Sequence, residues 1–128
     1  MSRIGSKDTH PELAVRRLLT EMGLRYRLHR RDLPGKPDIF FGPRRLVLFV
    51  HGCFWHRHRG CRLASMPSAN AAFWQAKFDA NTARDRRNTA ALKREGWRVA
   101  VIWECETRQP ERLARRLQRL LPVVSVSP

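Results

Sequence analysis

Acidic residues are scarce in this sequence, which has 11 Asp and Glu against 26 Lys and Arg and a formal net charge of +15. A field this one-sided favours a polyanionic partner, most often nucleic acid. Cysteine is scarce too, and a count of three is odd and argues against the disulfide framework of a secreted protein. No apolar run reaches the ~18 residues of a membrane span, and no signal-peptide pattern opens the chain. These absences exclude a membrane protein and favour a cytoplasmic protein that binds DNA or RNA.

The length of 128 residues indicates one domain that can bury a substantial core. We expect a single domain over residues 1–121 and a C-terminal tail over 122–128. The sequence contains no internal repeat and no low-complexity segment.

The apolar pattern predicts an α/β fold in the order α-β-β-β-α-β-α, with a mixed sheet and helices on both sides. Thr9 is the predicted N-cap of the first helix, with Glu12 closing a capping box and Gly23 ending the helix. Two more helices are predicted at about 73–95 and 110–121. Strands are predicted over 24–30, 38–41, 46–51 and 97–103, and the last strand is expected to be central and covered on both faces.

Four potential metal ligands follow two of these strands. Cys53, His58 and Cys61 come soon after the third strand, and Cys105 follows the fourth. A Cys3His set is what a closed tetrahedral zinc site requires. The alternative is three unrelated buried thiols.

A carboxylate and two histidines are predicted to converge near these ligands. If the loop between the second and third strands is the four residues 42–45, Asp38 lies opposite Phe49, and His51 is its diagonal neighbour on the same face. His56 lies two residues before His58 and would turn back toward Asp38 if that loop is extended. Alternatively, Asp38 only caps a turn, and the histidines all bind one metal or lie on the surface.

Aromatic and polar side chains surround this segment. Phe54-Trp55 and Phe73-Trp74 are suited to stacking on bases or wedging between them, although some of them could be core residues. The next helix carries a polar stripe that is either a solvated face or a face turned toward the site, formed by Lys77, Asn81, Arg84, Asp85 and Asn88.

With these residues assembled, the chain resembles the very short patch repair endonucleases, which nick DNA at T:G mismatches. The resemblance runs from about residue 1 to residue 120. Its carriers are Ser6-Lys-Asp-Thr9 with Glu12, Leu33-Pro-Gly-Lys-Pro-Asp38, Phe49-Val-His-Gly-Cys-Phe-Trp-His56, Phe73-Trp74, Arg84-Asp-Arg-Arg87, Gly96-Trp-Arg-Val99 and Trp103-Glu-Cys105.

The resemblance implies a restriction-endonuclease-like fold, a three-layer α/β/α arrangement with a central mixed sheet and a structural zinc site. It implies that Asp38 and the backbone carbonyl of Val50 bind Mg²⁺, although Val50 stands where the family usually has threonine. His51 and His56 would be the catalytic histidines. The supporting acids would be Glu12 and Asp85, the Zn²⁺ ligands Cys53, His58, Cys61 and Cys105, and the aromatic wedge Phe54, Trp55 and Trp74.

The expected function is therefore a magnesium-dependent endonuclease that nicks one strand of double-stranded DNA next to a T:G mismatch. Further DNA contacts are expected from Lys77, Asn81 and Arg84. We expect a monomer in the bacterial cytosol, with other mismatch repair proteins as further partners. The alternatives are a magnesium nuclease for another lesion or structure, and a zinc-stapled DNA-binding module without catalysis.

Overall fold

A computed structural model describes residues 9–122 of the chain. Three helices and four strands alternate as predicted: α1 (His10–Glu21), β1 (Arg27–Leu28), β2 (Ile39–Phe41), β3 (Leu46–His51), α2 (Ala71–Arg94), β4 (Arg98–Trp103) and α3 (Pro110–Leu120). Short 3-10 helices follow β4 at Glu104–Arg108 and precede α2 at Arg62–Ala64. Residues 123–128 of the predicted tail lie outside the described residues. So do residues 6–8, which belong to the first motif of the family resemblance.

The four strands form one mixed sheet in the order β1-β2-β3-β4. β1 and β3 both pair with β2 in the antiparallel sense, and β3 pairs with β4 in parallel. Phe41 is the partner of Leu46, so the loop between β2 and β3 has the four residues expected from the sequence.

The expected central position of the fourth strand is wrong, because β4 is an edge strand of the sheet. Its continuous apolar sequence has a different cause, since side chains pack on both of its faces. Ala100 and Ile102 belong to one apolar cluster, whereas Val99 and Val101 pack against the other. A strand covered on both faces is apolar throughout even when only one of its edges is paired.

Helices cover both faces of the sheet, which confirms the predicted three-layer arrangement. One cluster joins the sheet to Val15 and Leu19 of α1 and to Leu113 and Leu117 of α3. On the opposite face, Leu92 of α2 packs against the other cluster. No helix among residues 9–122 is long and apolar enough to cross a membrane.

The sequence predicted a longer first strand and a later start of the second long helix. Apolar and polar residues alternate over 24–30 as they should in a strand. Only Arg27 and Leu28 pair with β2, however, and β2 itself begins only after Pro37. α2 is an unbroken helix of 24 residues that begins at Ala71, two residues before the predicted start.

The predicted capping box at the start of α1 is only half formed. The Thr9 side chain accepts a hydrogen bond from the Glu12 N–H at 3.3 Å, as an N-cap does. The Glu12 carboxylate, however, contacts His29 rather than the cap, and Glu12 is only 1% exposed. The Glu12 carboxylate therefore contacts His29, which is distant in sequence, in place of the backbone of Thr9.

Gly35 provides a test of how α2 is fitted to the sheet. A Cβ atom at Gly35 would lie 3.0 Å from the Asn88 Cβ and 3.0 Å from a Phe49 ring carbon, whereas at Gly23 nothing lies within 4 Å. Both glycines have φ of +74°, so an alanine meets the same backbone strain at either position.

We therefore expect Gly35→Ala to lower the free energy of unfolding by about 1–3 kcal/mol more than Gly23→Ala, because only the first substitution crowds a Cβ atom against Asn88 and the buried Phe49 ring. Urea denaturation of the two variants measures this difference. Equal losses in both would contradict the tight fit between α2 and β3.

Candidate active site and metal cluster

The parallel pairing of β3 with β4 assembles the site at one end of the sheet. The last paired residues are His51 and Trp103, which are direct partners. Cys53 and Cys105 each follow two residues later, so the register brings both cysteines together. The first is buried and the second half-buried.

The four predicted metal ligands, Cys53, His58, Cys61 and Cys105, meet in one group. The His58 Nδ1 atom lies 3.6 Å from the Cys53 Sγ and 3.4 Å from the Cys105 Sγ. A tetrahedral zinc ion with Zn–S of about 2.3 Å and Zn–N of about 2.05 Å would separate sulfur from nitrogen by roughly 3.5 Å. The cluster therefore has the donor set and the spacing of a zinc site.

Electrostatics also favour a cation in the cluster. Burial raises the pKa of the Cys53 thiol to about 12, because a thiolate loses its hydration there without gaining a positive neighbour. A metal ion supplies that charge and deprotonates a coordinating thiol.

Contacts around the cluster fix its ligands from outside. The Cys53 N–H donates to the Glu104 carboxylate at 3.3 Å. Next to Cys105, Glu106 accepts from the Trp103 N–H at 2.8 Å and from Arg116 at 2.6 and 2.8 Å. The His58 ring stacks on Trp103, with ring centroids 4.2 Å apart.

Asp38 lies just before β2, beside the end of β3. Its Oδ2 accepts a hydrogen bond from the Val50 N–H at 2.7 Å. Burial, and then the nearby Glu12 carboxylate, raise the pKa of Asp38 to about 6, against the effect of that hydrogen bond. No lysine or arginine among residues 9–122 forms an ion pair with Asp38.

The two remaining histidines of the loop form a stacked pair. The rings of His51 and His56 are 3.7 Å apart and nearly parallel, at 7°. The His56 Nδ1 lies 2.7 Å from the Asp85 Oδ2. Burial has the largest single effect and opposes ionisation of Asp85. The His56 hydrogen bond and the charges of His56, His51 and Arg84 together outweigh it and hold the pKa of Asp85 below its usual range. Burial lowers the pKa of His51 to about 4, and the charge of His56 acts in the same direction.

The predicted convergence of Asp38, His51 and His56 takes the form of two neighbouring groups. One contains His51, His56 and Asp85, and the other contains Glu12, His29 and Asp38. The groups interact, since the charge of His56 acts on the Asp38 carboxyl.

The aromatic residues form a layer beside the histidine pair. Phe54, Trp55 and Trp74 contact each other and Phe78, with centroid distances of 5.2 to 6.5 Å. Trp55 is 48% exposed, so at least one aromatic of the loop faces solvent.

The polar stripe of α2 faces the loop over part of its length. Asn81 donates to the Trp55 carbonyl at 3.4 Å and accepts from Arg84 at 3.1 Å. Asp85 holds His56, whereas Lys77 is exposed. The interpretation of the stripe as a purely solvated face is therefore wrong for Asn81 and Asp85.

Sequence reasoning missed three residues of this region. His29 lies within the segment predicted as the first strand, and its contact with Glu12 spans 17 residues, a separation that no local pattern reveals. Phe78 follows Trp74 by four residues, and this helical spacing could have added it to the aromatic layer. The Arg57 guanidinium lies 4.0 Å from the centroid of the Phe78 ring and donates to the carbonyls of Phe54, Ala64 and Ser65.

Comparison with known proteins agrees with this geometry. The profile of the family described as "DNA mismatch endonuclease Vsr" matches residues 1–62. A relative from Xanthomonas oryzae pv. oryzae named "Type II nicking enzyme V.XorIIP" is 56% identical over 94% of this chain and 88% of its own length. The chain belongs to the Vsr family. The Escherichia coli K12 protein named "DNA mismatch endonuclease Vsr" is 42% identical over 88% of this chain and 72% of its own length.

Vsr-family membership makes the chain a relative of DNA endonucleases and supports a nuclease that acts on DNA. The fold agrees, since the catalytic domain of the homing endonuclease I-Bth0305I superposes with a TM-score of 0.61. That match covers 88% of this chain and 93% of the other at 21% sequence identity, so it supports the fold alone.

Proposed function

We propose that this protein nicks one strand of duplex DNA next to a T:G mismatch, by magnesium-dependent hydrolysis of a phosphodiester bond, in the bacterial cytoplasm. The observation that carries the proposal is the stacked pair His51–His56, held by Asp85 beside a half-buried Asp38. Relatives whose names include mismatch endonuclease and nicking enzyme support the reaction class.

The surroundings of Asp38 fit a hard cation. Asp38 is a half-buried carboxylate with a raised pKa and, among residues 9–122, no lysine or arginine in an ion pair with it. Such a group gains a counter-charge when a cation binds. In an extended strand the N–H and C=O of one residue lie on the same side. The Val50 carbonyl therefore lies on the side of Asp38, beyond the last β2–β3 pair. Asp38 and this carbonyl would hold Mg²⁺, which supplies polarisation of the scissile phosphate and stabilises the leaving oxygen.

His56 is the residue that takes the proton from water. Its Nδ1–H donates to the ionised Asp85 at 2.7 Å, so the lone pair of the neutral ring is on Nε2. That lone pair can accept a proton from a water molecule next to Nε2. Because burial lowers the pKa of His51 to about 4, the ring stacked on His56 is neutral at pH 7 and adds no positive charge when His56 takes up the proton. His51 orients the attack, and Glu12 is a supporting acid.

One such site in a monomer cuts one strand per binding event. Which strand is cut therefore depends on the orientation in which the DNA binds. The binding surface we propose is the aromatic layer together with Lys77, Asn81 and Arg84 of the α2 stripe. A T:G wobble is less well stacked than a normal pair, so wedging Phe54, Trp55 and Trp74 beside it requires less than the few kcal/mol of a normal step.

The Cys3His cluster binds zinc in a structural role in this proposal. Four protein ligands leave no open position for substrate, which distinguishes a structural from a catalytic zinc site. The zinc fixes the loop of residues 53–61 to the turn after β4, and the loop carries both His56 and Trp55.

The role of Asp38 is tested by Asp38→Asn, with Asp79→Asn on the exposed face of α2 as the matched control. We expect nicking of a T:G duplex in magnesium to fall by roughly three orders of magnitude, about 4 kcal/mol, because the metal loses its charged ligand. DNA affinity should stay within a factor of about ten. Undiminished cleavage by the variant would remove Asp38 from metal binding, and wild-type protein that binds DNA but never cuts would identify a binding module.

The zinc site is tested by Cys105→Ser and by chelation of the wild type. Structural zinc contributes on the order of 10 kcal/mol in small domains, so both treatments should abolish cooperative folding. Native mass spectrometry should find one zinc per wild-type chain, and circular dichroism should report the unfolding. A folded, zinc-free protein under both treatments would contradict the structural role.

Mismatch selectivity is tested by Trp55→Ala, with Trp55→Phe as the control that keeps a ring. Loss of the ring should reduce the ratio of cleavage rates on T:G and fully paired duplexes by about five- to hundredfold, given that stacking is worth ~1–3 kcal/mol. The phenylalanine variant should keep most of the ratio. An unchanged ratio in the alanine variant would assign the wedge to other residues, and a panel of other mispairs and lesions run in parallel identifies a different substrate.

A further inference from the structure

Glu12, His29 and Asp38 form a second cluster of potential metal ligands, separate from the cysteines. Their ligand atoms all lie within 4.8 Å of one another. Glu12 is 1% exposed, and the His29 side chain is 20% exposed. The cluster joins α1 to the segment after β1 and to the start of β2, so three distant parts of the chain supply it.

The backbone at His29 has a left-handed conformation. Its φ is +54°, in the left-handed region that side chains other than glycine rarely adopt. Its N–H donates to the Asp38 carbonyl at 2.9 Å, directly after the short β1 strand ends. Strained backbone of this kind concentrates at functional positions. Here it accompanies the placement of an imidazole against two acids.

The distance between His29 and Glu12 suits two neighbouring ligands of one metal ion. The His29 Nε2 lies 2.8 Å from the Glu12 Oε2. Donors about 2.1–2.2 Å from a metal, at right angles to each other, are roughly 3 Å apart. Two carboxylates and one imidazole can therefore face one octahedral ion with small movements of the side chains.

A donor set of two carboxylates and one imidazole favours a different cation from the Mg²⁺ that oxygen ligands alone favour. Mg²⁺ is held by oxygen ligands, whereas an imidazole nitrogen favours transition-metal ions, and Mn²⁺ accepts both donor types. Arg16 also donates to the Glu12 Oε2, at 3.3 Å. A bound cation shares that carboxylate with a guanidinium, so a moderate rather than a very high affinity follows.

We propose that Glu12, His29 and Asp38 bind a transition-metal dication of the manganese type, with His29 as its nitrogen ligand. This goes further than the proposed function, on which it rests for the metal-binding role of Asp38. The consequence is that the protein binds manganese more tightly than magnesium, and that His29 determines the difference.

The direct experiment is a titration of the zinc-loaded full chain with Mn²⁺ in the absence of DNA, in which electron paramagnetic resonance measures the free ion. His29→Gln removes the nitrogen ligand and keeps a polar side chain. The matched control is His10→Gln, at an exposed position at the start of α1. We expect the Kd for Mn²⁺ to rise at least tenfold in His29→Gln and to stay within twofold in His10→Gln. The Kd for Mg²⁺, measured by competition, should change less than threefold in either variant.

A Kd for Mn²⁺ that is the same in His29→Gln and the wild type would overturn the proposal. If His29→Gln fails to fold, nuclear magnetic resonance of the wild type decides. Mn²⁺ below one equivalent should broaden the His29 ring signals before those of His10, and equal broadening would contradict ligation.

The outcome is distinguishable from failure of the proposed function. A wild-type protein that never nicks DNA, yet binds manganese through His29, refutes the nuclease proposal and leaves this inference standing. A protein that nicks in magnesium and binds manganese equally well with glutamine at position 29 refutes this inference alone.

Discussion

Parallel pairing between β3 and β4 is the constraint on which the rest of the site depends. The register makes His51 the partner of Trp103, and two residues further along each strand stand Cys53 and Cys105. One strand pairing thus brings together cysteines that are 52 residues apart in sequence. A slip of one residue would turn His51 to the opposite face of the sheet and separate the cysteines. The apolar side chains on both faces of these strands fix that register, so core packing and site geometry depend on each other.

The charge distribution separates binding from chemistry. The excess of positive charge lies over a basic exterior suited to a polyanion, while the acids of the site are drawn inward. Asp38 is partly buried and Glu12 almost wholly so. Buried carboxylates within a cationic protein keep a local preference for cations that the overall field opposes. Under the proposed function, the phosphate backbone and the metal ion are in this way attracted by different parts of one small domain.

The sequence predicted those features that depend on local pattern. The order of elements, the three layers, the four-residue loop between β2 and β3, and the meeting of Cys53, His58, Cys61 and Cys105 follow from alternation, turn residues and ligand spacing. The position of β4 was missed because burial on both faces produces the same apolar run at an edge as in the centre. The length of β1 was missed because alternation reports which side a residue faces and not whether it has a pairing partner.

Long-range contacts between polar side chains were the other limit. Glu12 has the sequence position of a capping residue, and only the fold reveals that its carboxylate is held by His29. The Asp85–His56 contact links α2 to a loop 29 residues earlier, and helical spacing gave only the stripe to which Asp85 belongs. Interactions of this kind depend on the relative placement of whole elements, which neither periodicity nor capping rules determine.

The Cys/His cluster also has a consequence for the order in which the protein matures on the ribosome. Three of its members lie within residues 53–61, but the fourth, Cys105, is made only after the long helix that follows them. Until Cys105 has been synthesised, the two thiols of the nascent loop lack the fourth member of the cluster, and the loop with its tryptophan is not held in place. The loop that carries His56 can therefore be held by all four members of the cluster only after β4 and Cys105 have been synthesised.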